Sequence, residues 1–127
     1  MDSIFLICYG ESEEHVKISF DNKLIGANNT VNIPEGQLIY LLIKRNGIWN
    51  VVGRGNIDSI SGDNPFKQPN RFKTYKISNL TACQPFAISE ICKKELGNNY
   101  GLVLRTPRKI SAKGFIKYLD EHFKDLH

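Results

Sequence analysis

The sequence reads QLIYLLIK from Gln37 to Lys44, RNG from Arg45 to Gly47 and IWNVVGRGNI from Ile48 to Ile57. Both longer runs are rich in β-forming residues, and Asn-Gly between two such runs is the strongest short-range signal for a β-hairpin. The first run is almost continuously apolar and is expected to be a central strand. The second contains Gly53 and Gly55, and glycines inside a strand mark a bulge, a barrel corner or the close approach of another backbone. The hairpin therefore predicts a curved sheet.

Further elements are predicted on both sides of this hairpin. Apolar β-forming runs predict strands, apolar residues at helical spacing predict helices, and turn-forming residues predict loops. The predicted elements are a strand from Ser3 to Tyr9, a helix from Glu11 to Ser19, a loop from Asp21 to Pro34, a loop from Asp58 to Arg71, strands from Phe72 to Ile77 and from Gly101 to Arg105, a helix from about Ala87 to Leu96, and a last helix that Ser111 caps. The order β-α-β-β-β-α-β-α predicts an α+β fold.

Length and composition are those of one globular domain spanning residues 1–127. The 127 residues are 41% hydrophobic and 24% charged, and no run approaches the roughly 20 apolar residues of a membrane span. The three cysteines form no C-x-x-C pair, so neither a disulfide framework nor a zinc site is indicated. A cytoplasmic location is the resulting expectation. The last predicted helix reaches almost to His127 without a stop signal, which leaves open that the chain is a fragment of a longer protein.

Catalytic motifs are absent from the sequence. It contains no H-E-x-x-H, G-x-S-x-G or G-x-x-x-x-G-K-[ST], and its three histidines lie in predicted helices or near their ends. The acidic cluster of Glu11, Glu13 and Glu14 fits the N-terminus of a helix better than a ligand set. The sequence therefore predicts a non-enzyme without a cofactor or metal.

Charge is distributed unevenly along the chain. Residues 1–63 carry 5 basic and 8 acidic groups, whereas residues 64–119 carry 11 basic and 2 acidic groups. Basic and aromatic residues alternate from Arg71 to Lys76, and a second basic cluster runs from Arg105 to Lys109. Such a mixture suits a nucleic acid, because cations neutralise phosphates while aromatic rings stack on unpaired bases. A solvated basic face over an aromatic core would give the same pattern, and both interpretations stay open here.

Taken in order, the motifs resemble those of a PUA-like domain. Within that superfold they are similar to the EVE branch, which is related to the YTH domains that read methylated adenine in RNA. The loop LIGANN from Leu24 to Asn29 resembles the family's W-x-G-x-x-N, and VVGRGNI from Val51 to Ile57 resembles its V-G-x-G/A-x-V strand. NRFKTYKI from Asn70 to Ile77 resembles its aromatic-led strand. The resemblance implies a curved mixed sheet, or open barrel, flanked by about three helices.

The resemblance also implies a pocket that holds a flipped base. The implied base-pocket residues are Tyr9, Leu24, Ile25, Gly26, Asn28, Phe66 and Phe72, and the implied contacts to the nucleic-acid backbone are Arg54, Lys67, Arg71, Lys73, Arg105, Arg108 and Lys109. The family's tryptophan is replaced by Leu24, which removes one planar face from the pocket.

Domains of this kind also precede the GTP-driven motor of McrB-type restriction proteins. The leading expectation is therefore a module that recognises a modified base in DNA by base flipping, with a motor domain in the same chain and a nuclease subunit as partners. An RNA-binding PUA-like protein is the alternative, and a small-molecule enzyme or a protein-interaction module is a weaker one.

Overall fold

The computed structural model describes residues 3–28, 32–67, 72–104 and 107–126. The strands in these ranges are β1 (Ile4–Cys8), β2 (Leu24–Asn28), β3 (Leu38–Arg45), β4 (Ile48–Ile60), β5 (Phe72–Ala87) and β6 (Arg108–Ile110). The helices are α1 (Glu13–Asn22), α2 (Ser89–Leu96), the single turn α3 (Tyr100–Val103) and α4 (Lys113–His122). None of the helices in the described ranges is long and apolar enough to cross a membrane.

All six strands described above join one sheet in the order β2-β5-β4-β3-β1-β6. Strand β1 runs parallel to β3, and the other neighbouring pairs are antiparallel. The sheet curls into a half-barrel flanked by helices, which confirms the predicted α+β class and the curved sheet that the PUA-like resemblance implies.

Two apolar cores lie on opposite faces of the sheet, and this explains why β1 and β3 are almost continuously apolar. Side chains alternate between the faces of a strand. Phe5 and Ile7 enter the inner core, inside the half-barrel, whereas Ile4 and Leu6 enter the outer core. Helices α2 and α4 cover the outer core with Cys92, Phe115 and Leu119, so alternation between polar and apolar positions is lost in these strands.

The two glycines of β4 serve the curvature as predicted. The pairing of β4 with β3 and β5 shifts register near Gly53 and Gly55, as β-bulges do. A Cβ at Gly53 would lie 2.5 Å from the Phe20 ring of α1, and one at Gly55 would collide with Ile77 of β5. Glycine is therefore required where helix and strand press closest against β4.

Strand β2 lies in the stretch predicted to be a loop, and that prediction was wrong for residues 24–28. The segment has the polar and glycine content of a loop, but Ile25 is fully buried in the inner core and pairs with Tyr75 of β5. The strand exists because β5 supplies its partner, and that distant pairing has no signature in the local sequence.

The last strand also differs from its prediction. Residues 101–103, expected in a strand, belong to the helical turn α3, where the Leu104 N–H donates to the Tyr100 carbonyl. The strand comes later, at β6. Helix α4 starts at Lys113 after Ala112, without the side-chain cap expected from Ser111.

Strand β5 is more than twice as long as predicted, and its second half has an additional partner. Beyond its pairing with β2, the Gln84 N–H donates to the Lys124 carbonyl at 2.9 Å, and the Leu126 N–H donates to the Ala82 carbonyl at 3.0 Å. The segment that follows α4 therefore lies alongside β5.

Candidate functional site

Tyr9 connects the two sides of the half-barrel at the end of β1. Its hydroxyl lies 2.7 Å from the Ser19 hydroxyl of α1 and accepts the Gly26 N–H of β2 at 3.0 Å. Strand β2 forms one edge of the sheet and β1 lies near the other, so these bonds hold the curl closed. Burial raises the pKa of Tyr9 to about 12, against the opposing effect of both hydrogen bonds. The hydroxyl is therefore neutral at physiological pH.

The rings of Tyr9, His15 and Phe66 contact one another, and we name these three residues the Tyr9 cluster. The Tyr9 and His15 ring centroids are 5.7 Å apart at an interplanar angle of 75°. The Phe66 ring centroid lies 5.9 Å from that of Tyr9 and 5.4 Å from that of His15. These distances are typical of favourable aromatic contacts. The side chain of Phe66 is 3% exposed, so the rings cover one another.

Phe66 reaches the cluster on a loop that is hydrogen-bonded to β5. The Thr74 hydroxyl lies 2.5 Å from the Asp63 carbonyl, and the Phe66 N–H donates to the Asn64 side chain at 3.2 Å. The Ser61 N–H still donates to the Thr74 carbonyl of β5 at 2.9 Å, and the bonds described for residues 62–67 each involve a side chain. Such a segment opens at a lower free-energy cost than the sheet beneath it.

The remaining predicted pocket residues lie on β2 and β5. Leu24, Ile25 and Gly26 are buried, and Gly26 contacts the Tyr9 hydroxyl directly. The backbones of Asn28 and Phe72 are paired with each other, while their side chains lie outside the described part of the structure. The structure therefore brings Gly26 and Phe66 together around Tyr9, with Leu24 and Ile25 on the strand beside them.

Two of the predicted phosphate-binding lysines, Lys67 and Lys73, lie on the loop that carries Phe66 and on β5. Lys67 is exposed and follows Phe66 directly in the chain. Lys73 lies on β5, with its Nζ 2.5 Å from the Asn32 side chain and 5.7 Å from the Tyr75 ring centroid. The ion pairs found among the described residues include neither lysine. Both cations are therefore available to an anionic ligand.

The other predicted phosphate contacts are not gathered at the Tyr9 cluster. Arg54 lies on the outer face, 3.2 Å from the Asp120 carboxylate, with its guanidinium carbon 4.0 Å from the Phe123 ring centroid. Arg108 and Lys109 are exposed on the edge strand β6. Arg71 and Arg105 lie outside the described residues. Whether any of these residues contacts a nucleic acid stays a prediction.

His15 and Ser19 belong to the site but were not predicted. The sequence places His15 in an acidic helix and favours a solvent-facing or core-edge role; the residue is half-buried, and its ring contacts both Tyr9 and Phe66. Ser19 is fully buried and bonds to Tyr9. The available signal was spacing, because His15, Val16 and Ser19 share one helix face at i, i+1 and i+4.

The cysteine thiols and the metal-binding side chains offer no second centre among the described residues. Burial raises the pKa of Cys83 to about 11 and that of Cys92 to about 12, and it also raises the pKa of Cys8. These thiols are protonated, and hence weak nucleophiles, at neutral pH. Within the described ranges, no group of three or more His, Cys, Asp or Glu side chains could hold a metal ion.

Comparison with known proteins identifies a similar fold but does not assign the chain to a family. No protein-family model matches the sequence, and no curated protein matches it either. Among solved structures, the fold is similar to the one titled "Crystal structure of the MmI1 YTH domain", with a TM-score of 0.54 and 14% sequence identity. The match covers 94% of this chain and 98% of that one. The chain is therefore similar, over nearly its whole length, to the fold of a YTH domain.

Proposed function

We propose that this chain is a nucleic-acid-binding module that holds one unstacked base at the Tyr9 cluster. The observation that carries the proposal is the position of Lys67 directly after the buried Phe66, with the Lys73 Nζ 5.7 Å from the centroid of the buried Tyr75 ring, in a YTH-like fold. Rings offer flat faces to a base, and lysines neutralise the phosphates on either side of it. Neither feature requires a catalytic group, so the module supplies recognition without chemistry.

Base entry requires movement of the loop from Ser61 to Lys67. Phe66 covers Tyr9 and His15, so a base can stack on these rings only when Phe66 turns aside or when the base takes its place. The hydrogen bonds of this loop are made largely by Thr74 and by side chains of the loop itself. Displacement of residues 62–67 therefore leaves the strand pairing of the sheet intact, including the bond from the Ser61 N–H to the Thr74 carbonyl.

RNA is the ligand that the fold similarity favours, because the related YTH domains read methylated adenine in RNA. The alternative, which the sequence analysis suggested, is recognition of a modified base that is flipped out of duplex DNA. In that alternative, a GTP-dependent motor and a nuclease subunit of a McrB-type restriction complex would be the partners. The replacement of the family's tryptophan by Leu24 argues for weaker stacking on the modified base.

A binding titration tests the proposal. Fluorescence anisotropy would compare one RNA strand, unmodified and carrying methyladenine, with the matching DNA duplex, unmodified and carrying methylcytosine or methyladenine, each at two salt concentrations. We expect salt-sensitive binding that is strongest for RNA. Preference for a modified duplex would support the restriction-type alternative, and absence of binding to every probe at low salt would overturn the proposal.

Three variants and one control variant assign the binding to the site. Lys67→Ala and Lys73→Ala should each weaken binding to all sequences and reduce the slope of log K against log salt by about 1. Lys94→Ala on α2 removes the same charge from an exposed position elsewhere and should leave the slope unchanged. Phe66→Leu keeps a buried apolar side chain, although a smaller one, and removes a flat face, so it should reduce discrimination between modified and unmodified bases. Equal effects of Lys73→Ala and Lys94→Ala would contradict the assignment.

A further inference from the structure

A groove lies on the outer face of the sheet, away from the Tyr9 cluster. It has a volume of about 450 Å³ and runs between β3 and α4; we name it the α4 groove. Its lining residues are Leu38, Tyr40, Lys113, Ile116, Lys117 and Asp120. Tyr40 and the neighbouring Leu38 pack on the outer core, whereas Tyr9 and Phe66 belong to the inner one. The two sites therefore lie on opposite faces.

The groove combines an apolar side with a cationic rim. Leu38 and Ile116 come from the strand and the helix that border it, and both are half-buried. Lys113 and Lys117 are exposed and one turn apart on α4, so their ammonium groups lie on the same side of the helix. The Lys117 ion pair with Glu121 is long, 3.7 Å, and exposed, so it competes weakly with a ligand.

One end of the groove is polar, and Arg54 lies beside it. Arg54 donates to the Asp120 carboxylate at 3.2 Å and to the Tyr40 hydroxyl at 3.4 Å, while its guanidinium carbon lies 4.0 Å from the Phe123 ring centroid. The Tyr40 and Phe123 contacts hold the guanidinium, which pairs with the Asp120 carboxylate; that side chain is 73% exposed, and its remaining lone pairs can still accept hydrogen bonds. An acceptor of this kind recognises an exocyclic amino group, as on cytosine.

From these features we infer that the α4 groove binds one nucleotide of a single-stranded nucleic acid, whose base carries an exocyclic amino group. The base packs against Leu38 and Ile116, and its exocyclic amino group donates a hydrogen bond to the Asp120 carboxylate. The adjoining phosphates contact Lys113 and Lys117. This site is additional to the Tyr9 cluster.

Amide chemical shifts of the ¹⁵N-labelled chain test the site directly, with cytidine monophosphate, uridine monophosphate and an oligocytidine as probes. Cytidine monophosphate should shift amides in residues 38–40 and 113–120, and uridine monophosphate should bind about tenfold more weakly because it lacks the amino group. The oligocytidine should shift the same amides at lower concentration. Equal affinity of the mononucleotide and the oligocytidine would overturn the assignment to a strand. Shifts confined to other residues, or none with either cytidine probe, would overturn the site.

Charge reversal separates this site from the Tyr9 cluster. Lys113→Glu combined with Lys117→Glu should weaken oligocytidine binding about tenfold or more, because two phosphate contacts become repulsive. Lys93→Glu combined with Lys94→Glu makes the same change on α2, outside both sites, and should have a much smaller effect. If the α4 pair behaves like the α2 pair while Lys67→Ala and Lys73→Ala weaken binding, the groove is refuted and the Tyr9 site stands. The converse result would support the groove and refute the Tyr9 site.

Discussion

Replacement of Tyr9 by phenylalanine should destabilise the fold by more than the loss of one hydrogen bond. The hydroxyl is the acceptor for the buried Gly26 N–H and the partner of the buried Ser19 hydroxyl. An unsatisfied buried donor costs about 1–3 kcal/mol, and a lost hydrogen bond costs about 0.5–1.5 kcal/mol net. Ser19 can turn to a carbonyl one helical turn earlier, which limits its share. Together these costs predict a loss of about 2–4 kcal/mol in the free energy of unfolding.

Urea unfolding at neutral pH, followed by the fluorescence of the single tryptophan Trp49, measures this loss. Ser19→Ala is the matched control, since it removes one bond to the hydroxyl and leaves the Gly26 bond in place; it should cost about 1 kcal/mol. Hydrogen exchange at the Gly26 amide should accelerate in Tyr9→Phe and change little in Ser19→Ala. A Tyr9→Phe protein within about 0.5 kcal/mol of the wild type would refute the idea that this hydroxyl holds the half-barrel closed.

Three further predictions concern packing, charge and pH. Gly55→Ala should destabilise by about 1–3 kcal/mol because its Cβ collides with Ile77, whereas Gly62→Ala, with nothing within 4 Å, should lie within about 0.5 kcal/mol of the wild type; comparison of their urea midpoints checks this. Arg54→Ala should cost about 1 kcal/mol in the same assay through its ring and carboxylate contacts, and an unchanged midpoint would show that these contacts contribute nothing. Burial raises the pKa of Cys92 from 9.0 to about 12, so the folded state keeps a proton that the unfolded chain loses. The free energy of unfolding should therefore be unaffected by this thiol below about pH 9 and should fall as the pH rises towards 12. A urea midpoint that stays constant between about pH 8 and 11 would contradict this prediction.

The parts of the fold that could be predicted are those whose physics is local. Asn46-Gly47 sits between two apolar runs, and both residues have positive φ angles, 52° and 77°, as a tight hairpin turn requires. Gly53 and Gly55 indicated curvature because few other reasons place two glycines in a strand. The parallel pairing of β1 with β3 is visible only indirectly, in the apolar residues that serve both faces.

The parts that could not be predicted depend on partners far away in the chain. Strand β2 contains Gly26 and Asn28, which read as turn residues until β5 is placed beside them. His15 could be assigned only to the surface or to the edge of the core, because Phe66, which it contacts, comes from a loop far away in the sequence. Arg54 looked free to bind phosphate because neither Asp120 nor Phe123 is near it in sequence. For the candidate site, the sequence indicated the kinds of side chain but not which of them meet.

Strand β6 has a consequence for solubility. It spans Arg108–Ile110 and pairs with β1, whose sequence IFLIC has high β-propensity, no charge and no proline. Such a segment with an open edge is a template for aggregation. Arg108 and Lys109 place two exposed cations on the strand that covers this edge, and charged edge residues are a common defence against unwanted strand addition. Detachment of β6 would remove Ile110 from the outer core and would expose the edge of β1 to other copies of the chain.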